Sequence, residues 1–158
     1  DKGAGTILTE YPLEDIRQAR FSDITHILNL IEPLSEQGVL IKRIAGHIRD
    51  DINSFYVIEH DHNIIGTAAL YEYNQMIEIA CFVIHPNYQR LGYGEKLLKF
   101  CEKKIQEMGI KSIFALTTQS EHWFIEKGFN QSDKKFMPNG RNKIYDIQRN
   151  SKFLTKNL

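Results

Sequence analysis

Excess charge of either sign is missing from this sequence. Lys plus Arg and Asp plus Glu both number 20 in a chain of 158 residues. Without net charge the chain has no long-range field to steer it to a polyanion, so no nucleic acid and no anionic membrane is expected as a partner. The 6 histidines shift that balance only below neutral pH. Cysteine is scarce too: there are 2, Cys81 in an apolar run and Cys101 on an apolar helix face. A thiol pair of this kind fits a reducing compartment better than a disulfide scaffold, which makes the cytoplasm the expected location. No apolar stretch reaches the length of a membrane span, and the opening residues do not read as a signal peptide. Internal repeats and low-complexity linkers are also lacking. His60 and His62 flank a turn with no third ligand nearby, so no metal is expected.

What remains has the length of one ordinary domain with a sizeable core. DKGAGTILTEYPLED, residues 1–15, follows no periodic pattern and reads as a terminal tail or linker. From residue 16 onward, strand and helix patterns alternate. IRQAR (16–20) reads as a short strand, and Ser22 is placed to cap a helix from about Asp23, with Ile24, Ile27, Leu28 and Ile31 at helical spacing. Pro33 and Gly38 are expected to interrupt it before a second helix near 44–52. FYVIEH (55–60) and IIGTAALYEY (64–73) read as antiparallel strands around the turn DHN, and IEIACFVI (77–84) follows another turn. Leu97, Leu98, Cys101, Ile105 and Met108 form one helical stripe closed by Gly109. SIFALTT (112–118) reads as a buried strand, EHWFIEK as a short helix ended by Gly128, and two weaker strands are expected near 135–137 and 143–148. The pattern implies an α/β or α+β layer fold, a mixed sheet covered by helices.

Two features carry chemistry. PNYQRLGYG (86–94) joins an apolar strand to an amphipathic helix. A strand, a glycine turn and a helix start gather unpaired first-turn amides, and the helix dipole makes that concavity a fit for phosphate. Gly92 and Gly94 would admit backbone approach, and Gln89 and Arg90 would add donors; a merely tight connection explains the glycines equally well. The dinucleotide fingerprint and the P-loop are both unmatched. The second feature is Glu78, a carboxylate within the apolar strand 77–84. It either faces a cleft, where desolvation favours the protonated form and makes a useful base, or lies at a solvent-facing edge.

Gln89-Arg90-Leu91-Gly92-Tyr93-Gly94 after His85-Pro86 resembles the acetyl-CoA loop of the GCN5-related N-acetyltransferase (GNAT) superfamily. The resemblance covers about residue 16 to the C-terminus and includes HWFIEKGF. It implies the GNAT fold over 16–158, a mixed and mostly antiparallel sheet of six to seven strands covered by about four helices. It further implies acetyl-CoA as co-substrate, with the loop Gln89, Arg90, Leu91, Gly92, Tyr93 and Gly94 on the pyrophosphate. Phe82, Val83 and Ile84 would pair with the pantetheine arm.

Four segments, LSEQGVLIKR (34–43), IEIACFVIHP (77–86), LTTQSEHWFIEKGF (116–129) and YDIQRNSKFL (145–154), look like the acetyltransferase domain of the bacterial-type N-acetylglutamate synthase family. That resemblance implies L-glutamate as acceptor, with Ile41, Arg43, Cys81, Arg149 and Ser151 around it and Glu78 as general base. Arginine forks suit carboxylates, so Arg43 is expected on the α-carboxylate and Arg149 with Ser151 on the side-chain carboxylate. Arg17, Arg20, Arg49 and Arg141 keep the ordinary reading of solvated charge. Where many relatives protonate the leaving thiolate with tyrosine, this chain has Trp123 and Phe124; Thr117 offers a hydroxyl, although an alcohol is a poor acid. His122 reads as packing or a surface donor. Tyr145 reads equally as pocket wall or packed strand residue, and Cys81 as wall and not nucleophile.

DKGAGTIL resembles the close of an amino-acid-kinase-like domain, which implies an upstream domain of that kind in a longer protein, with a different upstream enzyme as the alternative; a homo-oligomer is a separate expectation. Two alternatives stand beside the glutamate reading. One is acetyl transfer to another amine, a polyamine or a protein N-terminus; the other is a catalytically silent CoA-binding module.

Overall fold

A computed structural model of the chain describes residues 14–142 and 150–158. The described strands are β1 (Glu14–Gln18), β2 (Phe55–His60), β3 (Asn63–Tyr73), β4 (Met76–Ile84), β5 (Ser112–Thr117), β6 (Asn130–Gln131) and β7 (Lys152–Asn157). The helices are α1 (Ile24–Glu36), α2 (Ala45–Asp50), α3 (Tyr93–Glu107), α4 (Glu121–Glu126) and the one-turn α5 (Asn139–Asn142). The strands form one sheet in the order β1-β2-β3-β4-β5-β7-β6. Every neighbouring pair is antiparallel except β4 and β5, which the α3 crossover makes parallel. This is the mixed, mostly antiparallel sheet with helical cover that the sequence implied.

Both faces of the sheet are buried. On one, Leu97, Leu98, Cys101 and Ile105 of α3 pack on Ile65, Ile77, Ile79 and Ile113. On the other, Ile24, Ile27, Leu30 and Ile31 of α1 pack on Val57, Ala69, Cys81 and Val83. Each fully buried aliphatic side chain contributes about 1.5–3 kcal/mol, so these two seams hold the layers together. α3 ends in a Schellman arrangement, with Gly109 N–H donating to the Gln106 carbonyl at 3.0 Å and Ile110 N–H to that of Ile105 at 3.3 Å. Met108, expected in the buried stripe, is the C-cap and 54% exposed.

Other expectations are corrected. The first strand occupies Glu14–Gln18, two residues earlier than read, because Phe21–Asp23 form a 3-10 turn that ends the extended run. Asp23, not Ser22, is the N-cap of α1; its carboxylate is engaged by Arg17 and by the Arg20 N–H at 2.7 Å. Pro33 does not stop α1, which runs to Glu36 because its buried stripe holds the helix against the sheet. Residues 134–136 form a 3-10 turn instead of a strand. Lys152–Asn157 form a strand that the sequence reading did not anticipate, and the strand expected at 143–148 lies outside the described residues.

Candidate active site

The site begins where two strands part. β4 and β5 are paired only at Met76–Ser112, Ile77–Ile113 and Glu78–Phe114. Beyond Glu78, β4 continues to Ile84 without a further ladder pair to β5 among the described residues, while β5 ends at Thr117. A backbone edge of this kind leaves N–H and C=O groups ready to bond an extended partner. The divergence is reinforced within β4. Cys81 takes a left-handed φ of 51°, and the β3–β4 register shifts between Thr67–Val83 and Ala69–Ala80. Such a bulge re-aims the amides beside it.

A cavity of about 780 Å³ fills the gap. It brings together Cys81, Phe82, Val83, Ile84, Gln89, Arg90, Gly92, Gly94 and Thr117, all singled out in the sequence. At its lower end the turn before α3 carries Arg90 at φ 66° and Gly92, the N-cap of α3, at φ 92°. This alternation of left-handed residues makes a concave run of amides at a helix start, an anion-binding shape. Gly92 earns its place by conformation, since a Cβ there would meet nothing within 4 Å.

Gly94, which lines the cavity, also shapes its wall. Its missing Cβ makes room for the indole of Trp123, whose Cζ2 would lie 3.1 Å from it. Gln89 is also partly committed: its carboxamide nitrogen donates to the Ile84 carbonyl at 3.0 Å and ties the turn back to β4. Leu91 is 65% exposed and does not line the cavity. Tyr93 turns away from it, packing on His60 and Tyr88 with ring centroids 5.5 and 6.1 Å apart.

The opposite wall is aromatic. Trp123 lies 5.3 Å from Phe82 and 5.1 Å from Phe124, centroid to centroid. Thr117 is buried at the end of β5, and its hydroxyl oxygen accepts the Ser120 N–H at 2.9 Å. Its own proton is therefore free to point into the cleft. Thr118 beside it has a buried hydroxyl oxygen without a partner among the described residues. Sequence reading missed Leu34, Val39 and Leu40, which close the cavity from the last turn of α1 and the loop after it. The only available signal was their place in the segment 34–43.

Glu78 is 5% exposed in the middle of the sheet, which excludes the solvent-facing edge. Its ladder neighbours are Tyr71 on β3 and Phe114 on β5. Arg43 belongs to the same group of charges. Burial opposes its ionisation, but Cys81, Tyr71 and Glu78 outweigh burial and raise its pKa. Its guanidinium carbon lies 6.0 Å from the Tyr71 ring centroid. Arg43 and Ile41 both sit in the loop between α1 and α2, and Arg43 lines a second cavity of about 380 Å³. Ser151 is 1% exposed just before Lys152, which pairs with Thr117. Arg149 and Tyr145 lie outside the described residues. Burial pushes the Cys101 thiol up to about 12, so it is inert. Among the described residues, no group of three or more His, Cys, Asp or Glu could hold a metal, and no helix is long and apolar enough to cross a membrane.

Residues 15–129 match the sequence profile described as the acetyltransferase (GNAT) family. The chain is 41% identical over 158 residues to the amino-acid acetyltransferase of Vibrio cholerae, covering 99% of this chain and 36% of that protein. It is 42% identical to the amino-acid acetyltransferase of Ralstonia nicotianae, covering 99% of this chain and 35% of that one. It thus spans about a third of the length of these relatives. In structure it is similar to N-acetylglutamate synthase from Neisseria gonorrhoeae complexed with coenzyme A and N-acetyl-glutamate. That match has a TM-score of 0.89 and 39% identity, covering 94% of this chain and 36% of the synthase.

Proposed function

The chain belongs to the acetyltransferase (GNAT) family, and from that membership we propose that it transfers the acetyl group of acetyl-CoA to the α-amine of L-glutamate. The products are N-acetyl-L-glutamate and CoA, the opening step of arginine biosynthesis. The observation that carries this reading is the parting of β4 from β5, which opens a cleft from a buried carboxylate, Glu78, to the concave amides before α3. The first end suits a base and the second a pyrophosphate. The similar synthase, complexed with coenzyme A and N-acetyl-glutamate, supports both the cofactor and the acceptor.

In the proposed mechanism Glu78 takes a proton from the glutamate ammonium, directly or through water. The freed nitrogen bonds to the thioester carbonyl carbon. A β4 backbone N–H near Phe82 or Val83 holds the oxyanion, the C–S bond then breaks, and the second proton shed by the nitrogen passes through solvent to the leaving thiolate to give CoA. Thr117 gives a hydrogen bond to the departing sulfur, since its oxygen already accepts the Ser120 N–H. Arg43 clamps the α-carboxylate, and Arg149 with Ser151 holds the side-chain carboxylate. No acyl-enzyme and no metal is needed. An upstream amino-acid-kinase-like domain, a homo-oligomer and a cytoplasmic location belong to the same proposal; relatives of which the chain spans 36% support the first.

A thiol-release assay with acetyl-CoA against the free amino acids and spermidine tests it. Release that depends on L-glutamate is the expected result. Turnover of spermidine without turnover of glutamate overturns the acceptor, and acetyl-CoA binding without release on any amine overturns catalysis.

A further inference from the structure

We infer that Tyr71 and Asp51 are positioning residues for the acceptor, fixing the guanidinium of Arg43 on the face of the sheet that Glu78 occupies. The inference rests on Arg43 as the acceptor's carboxylate clamp, and adds what holds that clamp in place.

Arg43 needs such a hold. It belongs to a stretch, residues 41–44, with no regular backbone structure, and a free arginine side chain samples many rotamers. Tyr71 supplies a rigid surface. It lies on β3 directly opposite Glu78 in the β3–β4 ladder, so the two side chains share one face. The Arg43 guanidinium carbon is 6.0 Å from its ring centroid. Tyr71 is among the neighbours that favour the charged form of the guanidinium.

The tyrosine is itself tied down. Its hydroxyl donates to Oδ2 of Asp51 at 2.9 Å. Asp51 is the C-cap of α2, and its N–H donates to the His47 carbonyl at 3.1 Å. The run from α2 through Asp51 and Tyr71 to Arg43 therefore moors a loop side chain to two regular elements. With its proton given to Asp51, the phenol oxygen presents only lone pairs to the guanidinium. This explains a tyrosine where phenylalanine would pack equally well. Arg49 offers the contrast: it stacks at 5.2 Å on Phe21, a ring that is 60% exposed and has no hydroxyl.

The test compares Tyr71→Phe, Asp51→Asn and the double variant in steady-state thiol release. Each single change should raise the glutamate KM about tenfold, and the double change no more than either, because both break one chain. The kcat and the acetyl-CoA KM should stay within about twofold, the signature of lost ground-state positioning. Asp51→Glu should restore part of the loss. A glutamate KM unchanged in Tyr71→Phe overturns the inference, as does a loss falling equally on both substrates. A second readout is independent of turnover: hindered rotation of the Arg43 guanidinium, followed by nitrogen-15 NMR of the chain. Rotation at least about fivefold faster in Tyr71→Phe and Asp51→Asn supports the mooring, and identical rotation overturns it. A wild-type chain that ignores glutamate sinks the proposed function, and the NMR comparison then still decides the mooring.

Discussion

Trp123 occupies the space that a side chain at Gly94 would need. The indole, on α4, closes over the first turn of α3, and an added Cβ would come within 3.1 Å of its Cζ2. The ring has little room to retreat, since Phe82 and Phe124 flank it and the Lys127 ammonium lies 5.5 Å from its centroid. The glycine therefore serves the wall of the cleft as much as its floor.

Gly94→Ala should accordingly destabilise the chain by about 1–2 kcal/mol through overpacking. Adding Trp123→Phe should recover part of that loss, giving a non-additive pair in urea denaturation. The single change should also weaken acetyl-CoA in calorimetry, because the displaced indole narrows the cleft.

Gly92→Ala tests the other glycine by a different route. A methyl group at this position meets nothing within 4 Å, but φ is 92°. The change should cost about 1 kcal/mol of backbone strain. It should raise the acetyl-CoA Kd without altering the kcat reached at saturation, a separation that titration and initial rates can read.

Glu78→Gln keeps the shape and removes the proposed base. Turnover should fall by about 10²- to 10⁴-fold. The acetyl-CoA Kd should not move, since Glu78 lies on the acceptor side of the divergence. Initial rates and calorimetry on the same preparation check both halves.

Asp23 predicts a pH dependence of stability. Burial alone would raise its carboxyl pKa, but the Arg17 guanidinium, at 2.8 Å, and the Arg20 N–H outweigh burial and hold it below its ordinary 3.8. A depressed folded pKa means that the stabilisation is complete above the unfolded value and fades as pH falls through the folded one. Asp23→Asn should cost about 2 kcal/mol at neutral pH. The difference from wild type should shrink below about pH 4, as thermal melts across pH 2–7 would reveal.

How much of this was legible beforehand follows from the range of the interactions. The glycine turn before α3 was legible because glycine at the N-cap and the preceding His85-Pro86 act locally. Glu78 was readable because one carboxylate breaks an apolar run. Pro33 misled because its local preference lost to tertiary burial of Ile27, Leu30 and Ile31, which no local rule weighs. Cys81 at φ 51° carried no signal at all, since cysteine is not a residue that favours the left-handed region. The role of Trp123 depends on Gly94, 29 residues away, and that of Tyr71 on Asp51 and Arg43, 20 and 28 residues away in the chain. Composition and periodicity say nothing at that distance.

The parting of β4 from β5 has a mechanical corollary. Three ladder rungs alone splice the strands before α3 to those after it across the middle of the sheet. An extended ligand lying in the gap would act as a splint, bonding to one half and packing against the other. Loading the cleft would then stiffen the seam where the ladder stops, and amide hydrogen exchange on both sides of it would slow together.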